Sequence, residues 1–219
     1  MLESGKVNFV SEKKELLSEK IHDEILELII KNSSEEEMVL NEKRLMELFG
    51  VSKAPVREAL IKLCSEGVLR NVPRFGYVVV RLQEKDIQDV VRLRVMLETE
   101  ALRQGYDSIV LYHLPDILQQ IQKASERGET TDVWQLWEDN EDFHLMLASF
   151  AGNNLLKRFL KDAMGIQKRS YGQMTWKNRQ SLVVDVDKWP HGQIYQALCD
   201  RDLDLALKLL EQDICGALQ

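Results

Sequence analysis

The sequence predicts a mainly α-helical protein in two units: three helices closed by a β-hairpin, then an antiparallel all-α bundle of six or seven helices. Three observations carry this. The 219 residues are enough for two separate cores. On either side of residues 68–81, apolar residues recur at three- and four-residue steps, the signature of amphipathic helices. Within that span, β-prone Val68–Val72 and Tyr77–Arg81 flank Pro73-Arg74-Phe75-Gly76, a suitable hairpin tip. The expected organisation is a flexible arm over 1–15, a first unit over 16–81, a short connection over 82–85 and a helical unit over 86–219.

The elements follow in order. Leu17, Ile21, Ile25, Leu28 and Ile29 mark a helix from Leu16 to Lys31, ended by Asn32, Ser33 and Ser34. A short helix opens at Asn41, a good N-cap, and closes at Gly50, suited to a left-handed C-terminal position. Ser52 is the expected N-cap of a third helix, and Pro55 is tolerated because first-turn amides have no helical partner. Val56, Leu60 and Leu63 should face inward, with Lys53, Ala54, Arg57 and Ile61 outward. In the second unit, Ile87 to Ala101, Leu114 to Arg127, Val133 to Ala151, Leu155 to Tyr171, Pro190 to Cys199 and Leu203 to Cys215 are helical in pattern, the last capped by Asp202.

Composition narrows the function. Apolar residues at 44% and charged ones at 30% suit a globular protein, and no uncharged run approaches the roughly 20 residues of a membrane span. The N-terminus lacks the apolar core of a secretory signal, so a cytoplasmic protein with no membrane partner is expected. Cys64, Cys199 and Cys215 are scattered and predict reduced, packed thiols. The net charge of −7 hides a split: residues 41–81 carry eight Lys or Arg against four Glu, while residues 82–219 carry 16 against 22.

Three helices, the last two joined by a tight turn, followed by a hairpin and carrying the basic segment, describe a winged helix-turn-helix that reads DNA. The residues also resemble the GntR family of regulators. The resemblance rests on Leu40-Asn41-Glu42-Lys43-Arg44-Leu45, then Gly50 to Leu60 with Lys53 for the usual Arg, then Leu63-Cys64-Ser65-Glu66-Gly67, then Arg74-Phe75-Gly76. One departure is the first loop, where Ser33-Ser34-Glu35-Glu36-Glu37 replaces a frequent Pro-Gly turn. The resemblance implies that Lys43, Ser52, Lys53, Arg57 and Arg74 approach the duplex. Arg57 suits a guanine edge, Ser52 and the helix N-terminus suit phosphate, and Lys43, Lys53 and Arg74 suit phosphate or the minor groove.

In the second unit several polar residues fall on apolar stripes. Asn140 and His144 share a face with Val133, Leu136, Leu147 and Ala151. His191 is in register with Ile194, Tyr195 and Leu198, and Asp213 with Ala206, Leu209 and Leu210. Arg94 lies on the stripe of Ile87, Val90, Leu97 and Ala101, so it needs an anionic partner: Glu98, another carboxylate or a ligand. This half resembles the FCD ligand-binding domain of the FadR-type branch, through Arg94-x-x-Leu97-Glu98, Phe143-His144 with Ala151-Gly152-Asn153, and His191-x-x-Ile194 with Ala197 and Asp202. Members with a metal site use an Asp and three His; only His144 and His191 match, while Asn140 and Asp213 exchange ligand types at the other corners. Asp213 could restore the charge lost at Asn140, giving an Asn140/His144/His191/Asp213 site for one divalent transition metal, zinc, nickel or manganese. The alternative is a metal-free polar pocket.

These readings converge on a homodimeric repressor whose affinity for a palindromic double-stranded operator is controlled by a small carboxylate. The effector would be bound near Arg94, Asn140, His144 and His191. Two alternatives stand beside it. One is a metal-dependent hydrolase, for which no nucleophile or base motif is found. The other is a constitutive DNA binder that has lost sensing through the Asn140 and Asp213 exchanges. Four tryptophans, Trp134, Trp137, Trp176 and Trp189, are expected in cores or subunit contacts.

Overall fold

A computed structural model describes residues 4–32, 38–126, 133–175 and 190–216 of the chain, which divides into two compact units: among the described residues, the first takes those up to 82 together with 171–175, and the second takes 83–170 and 190–216. The first unit contains α1 (Ser4–Lys31), β1 (Val39–Leu40), α2 (Glu42–Phe49), α3 (Lys53–Ser65), β2 (Leu69–Val72) and β3 (Gly76–Val79). Helix α1 starts at Ser4, where the sequence suggests an arm up to residue 15. That stretch holds no proline, and its Lys6, Glu12, Lys13, Lys14 and Glu15 are good helix formers, so the helix can propagate through it.

Helices α1 and α3 cross over a core of Ile21, Ile25 and Ile29 against Val56, Ala59, Leu60 and Leu63, closed by Leu45, Val68, Leu69 and Tyr77. Burying each such aliphatic side chain contributes about 1.5–3 kcal/mol. Leu17, placed by periodicity on this face, is instead exposed, a turn beyond the point where α3 covers α1. Asn41 caps α2 by accepting from the Lys43 amide, and Gly50 closes it at φ 65° with its amide on the Met46 carbonyl. Ser52 stands at the N-cap of α3 in extended conformation, but its side chain makes no capping hydrogen bond.

The hairpin pairs β2 with β3 in antiparallel register, Val72 opposite Gly76, leaving Pro73-Arg74-Phe75 as the tip. Strand β1, too short to show in the sequence pattern, adds to the other edge of β3, giving the order β1-β3-β2. This close approach fixes Gly76. Its φ is 124°, and a Cβ there would lie 2.7 Å from the Leu40 carbonyl oxygen.

The second unit is built from α4 (Glu84–Ser108), a π-helical segment (Ile109–His113), α5 (Leu114–Glu126), α6 (Val133–Ser149), α7 (Asn154–Thr175), α8 (His191–Cys199) and α9 (Leu203–Gly216). Helix α4 opens with a reciprocal capping box between Gln83 and Asp86. It runs on through the π-helical turn into α5, covering residues 102–113, which the sequence reading left unassigned. Asp202 caps α9 by accepting from the Leu205 amide. The core gathers Val91 and Leu102 of α4, Ile117 of α5, Phe143 and Leu147 of α6, Ile194 and Leu198 of α8, and Leu210 and Ile214 of α9. Trp137 is buried, whereas Trp176, Trp189 and the side chain of Trp134 lie outside the described residues. Among the described residues no helix is long and apolar enough to cross a membrane.

Gly76→Ala should cost the first unit about 2–3 kcal/mol, because the new methyl meets backbone and not a side chain that can move aside. Chemical denaturation measures the loss, with faster amide exchange at β1 and β3 as its local signature.

Candidate nucleic-acid interface and candidate effector site

In the first unit the start of α2, the start of α3 and the hairpin tip enclose an open groove. Lys43, Lys53, Arg57 and Arg74 all line it. Each arrives by a different local device. Lys43 follows the Asn41 cap, and Lys53 and Arg57 are one turn apart on the outer face of α3, opposite the buried Val56 and Leu60. Arg74 sits in the left-handed region at φ 67°, which turns the tip and costs a non-glycine residue about 1 kcal/mol or more. Ser52 is exposed at the N-terminus of α3. The four cations predicted from sequence are therefore brought together, with Ser52 at the adjoining helix end.

One acidic residue shares the groove and was missed by the sequence reading. Glu42 lies with one carboxylate oxygen 3.3 Å from Lys53 Nζ, while the other accepts from the Tyr77 hydroxyl at 3.2 Å. Burial, followed by the bond to Glu42, holds the Tyr77 phenol above its usual range. Glu42 belongs to the Leu-x-Glu signature, so its position was visible, but not its partners.

The second unit carries a chain of buried ionisable groups. Arg94 is 1% exposed and donates from Nε to Glu98 Oε1 at 2.7 Å and from Nη1 to Gln167 Oε1 at 2.6 Å. Of the partners open to it in the sequence, Glu98 is the anion it meets. The second Glu98 oxygen takes His144 Nδ1 at 2.5 Å. His144 Nε2 then faces Asp213 Oδ2 at 3.0 Å, and His191 Nε2 reaches the same oxygen at 3.2 Å. Phe143 stacks on the His191 ring at 3.8 Å between centroids and holds its plane.

His144, His191 and Asp213, from α6, α8 and α9, thus present ligand atoms within 4.8 Å of one another. Asn140 is buried one turn before His144 on the same face of α6. Gln167 of α7 carried no sequence signal beyond helical periodicity.

The donor set fits a divalent transition metal: two imidazole nitrogens converge on one carboxylate oxygen, all within 4.8 Å of one another. Glu98 behind His144 strengthens the fit, since a Nδ1–H donated to a carboxylate leaves Nε2 as the ligating atom. Two buried donors nearby, Arg94 Nη2 and Gln167 Nε2, have no acceptor among the described residues.

Electrostatics without a metal are also consistent. Burial would raise both Glu98 and Asp213, but cationic His144 and Arg94 around the first, and the two imidazoles beside the second, hold both below the usual carboxylate range. Burial would lower His144, yet Glu98 and Asp213 outweigh it and its pKa is raised; for His191 burial prevails and the pKa is lowered. The metal-free set therefore balances two cations, Arg94 and His144, against two anions.

A basic groove on a winged helix, in a chain that also carries a separate helical unit, defines the class of two-unit DNA-binding regulators. Sequence comparison supplies the family. Residues 17–79 match the family described as bacterial regulatory proteins, gntR family, and residues 89–214 match the FCD domain. The chain belongs to the GntR family, with an FCD domain.

Among its relatives, the gluconate operon transcriptional repressor of Bacillus licheniformis is 40% identical over 84% of this chain and 76% of its own. The HTH-type regulator YdhC of Bacillus subtilis is 33% identical over 56% of this chain; this chain spans about half the length of that relative, 55%. The solved structure of E. coli McbR/YncC, at 20% identity, shares the fold with a TM-score of 0.67 over 93% of this chain and 97% of that one. A family of regulatory proteins replaces the hydrolase alternative.

Metal-free protein should show two stability arms. The His144 contribution is complete below its unfolded pKa of about 6.5 and is lost as pH rises through the raised folded value. The Glu98 and Asp213 contributions are complete above their unfolded values of about 4 and are lost as pH falls through the depressed ones. Asp213→Asn should cost about 2–4 kcal/mol near pH 6 and flatten the alkaline arm, measured by denaturation of chelator-treated protein from pH 5 to 9.

Proposed function

We propose that the chain is a homodimeric transcriptional repressor in which Lys43, Ser52, Lys53, Arg57 and Arg74 contact a palindromic operator, and a small carboxylate in the FCD domain sets operator affinity. His144, His191 and Asp213, with Asn140 beside them, would hold one zinc, nickel or manganese ion. Such an ion supplies Lewis-acid attraction for a carboxylate when bound. The observation that carries the effector reading is the pair of buried donors without acceptors among the described residues, Arg94 Nη2 and Gln167 Nε2, close to the His144 cluster through Glu98. An unsatisfied buried donor costs about 1–3 kcal/mol, and an acceptor-only group such as a carboxylate removes that cost.

The residues divide the work. Arg94 and Gln167 would bind and orient the effector, while Glu98 fixes the His144 ring and balances Arg94. Phe143 keeps His191 in plane and water away from one face. Repression follows the named activity of the Bacillus licheniformis relative, and gluconate is accordingly the first carboxylate to test. Control requires that effector bind the DNA-competent and DNA-incompetent states with different affinity. An intracellular site of action accords with a DNA target.

Two outcomes are expected. Arg57→Ala should abolish preference for sequences selected in vitro by the wild type while leaving the unfolding free energy within about 0.5 kcal/mol of wild type, since the side chain is exposed. An unaltered footprint would contradict the assignment. In fluorescence titrations, gluconate or a related carboxylate should change affinity for the selected DNA by about 5- to 150-fold, and Arg94→Met should remove the response. A panel of carboxylates without effect would contradict the effector reading.

A further inference from the structure

We propose that Glu42 is a specificity-determining positioning residue that withholds Lys53 from the backbone of non-operator DNA, so that the reader holds sequence-independent DNA weakly while Lys53 stays available at the operator. This rests on the assignment of the basic groove as the DNA interface. Glu42 is the one acid among the residues lining that groove, against four cations. Its two oxygens are committed to two different elements, Lys53 at the start of α3 and Tyr77 on β3. The Glu42 side chain is three-quarters buried, at 25% exposure, whereas Lys53 is 63% exposed.

Two physical consequences follow. First, a lysine is a flexible point charge, and paired with Glu42 it neither wanders among phosphates nor releases counterions from them. Second, a carboxylate in the groove repels every phosphate alike, a cost that only well-fitted base contacts by Arg57 and its neighbours offset. The Tyr77 bond keeps that carboxylate aimed, and so ties the aim to the sheet that carries the tip with Arg74. Glu42 thereby lowers general affinity more than affinity for the preferred sequence.

The test compares full-length wild type with Glu42→Gln, whose amide oxygen still accepts from Tyr77 and so preserves the local fold; matching melting curves check this. Binding to a 30-base-pair duplex of randomised sequence is followed by anisotropy between 50 and 200 mM salt, a probe choice that needs no known operator (about three helical turns at ~10 base pairs each). Glu42→Gln should steepen the salt dependence by about 0.9 per reader. Its affinity for random duplex should rise about eightfold per bound reader at 0.1 M salt, the amount one added phosphate contact supplies. The ratio of affinities for wild-type-selected over random duplex should fall, and Glu42→Gln/Lys53→Met should return the slope to the wild-type value.

A Glu42→Gln slope equal to wild type overturns the proposal, as does a steeper slope that survives removal of Lys53 or an unchanged ratio. If instead Lys43→Ala, Arg57→Ala and Arg74→Ala leave binding intact, the interface assignment itself has failed, a result separable from the others.

Discussion

Much of the second unit is constrained by one requirement: a fully buried arginine must be neutralised. Arg94 on α4 meets that need with Glu98, and Glu98 passes the constraint to His144, which passes it through Asp213 to His191. Four helices, α4, α6, α8 and α9, are thereby held in mutual position by charge as well as by apolar packing. Breaking any one link leaves an uncompensated ion in low dielectric, which is why such chains are stringent about geometry even where their net contribution to stability is small. The polar chain is also poised for exchange. A cation placed among His144, His191 and Asp213 would take over the charge balancing that protonated His144 provides without one.

The first unit answers a different problem, how to expose positive charge without losing the fold. Its cations stand on the outer faces of elements whose inner faces are fully buried, so each can be spent on a phosphate or a base edge without unpacking the core. The tip shows the cost. Arg74 adopts a left-handed conformation that glycine would adopt freely, and the next residue but one, Gly76, is forced by the approach of β1. Under the proposed operator contact, that strain is the local cost of presenting a cation at the tip.

Much of this was legible beforehand, for identifiable reasons. Helical periodicity, the Asn41, Gly50 and Asp202 caps and the Pro73–Gly76 tip are local signals, and the helices they predicted all appear, most with small changes of boundary, but with α1 starting at Ser4 and α4 running on to Ser108. His144, His191 and Asp213 could be picked out because polar groups on apolar stripes must converge on something, and they do converge. Other features depend on tertiary pairing and left little trace. Strand β1 has two residues, too few for a period to register. Gln167 is one polar residue on a long helix, and only its bond to Arg94 distinguishes it. Glu42 stood in a recognised signature, yet its tie to Lys53 and Tyr77 required the fold. The α1 extension to Ser4 escaped notice because a strongly charged stretch reads equally well as an arm or as a solvated helix.

Metal binding by the buried cluster is the central proposal, and elemental analysis of the untagged protein by mass spectrometry tests it most directly, beside a His144→Ala/His191→Ala double variant. About one divalent transition metal per chain in the wild type, absent from the variant, is the result predicted from a two-imidazole, one-carboxylate donor set. No metal in either protein, even after supplementation, would contradict it and leave Arg94 and Gln167 to recognise a ligand on their own.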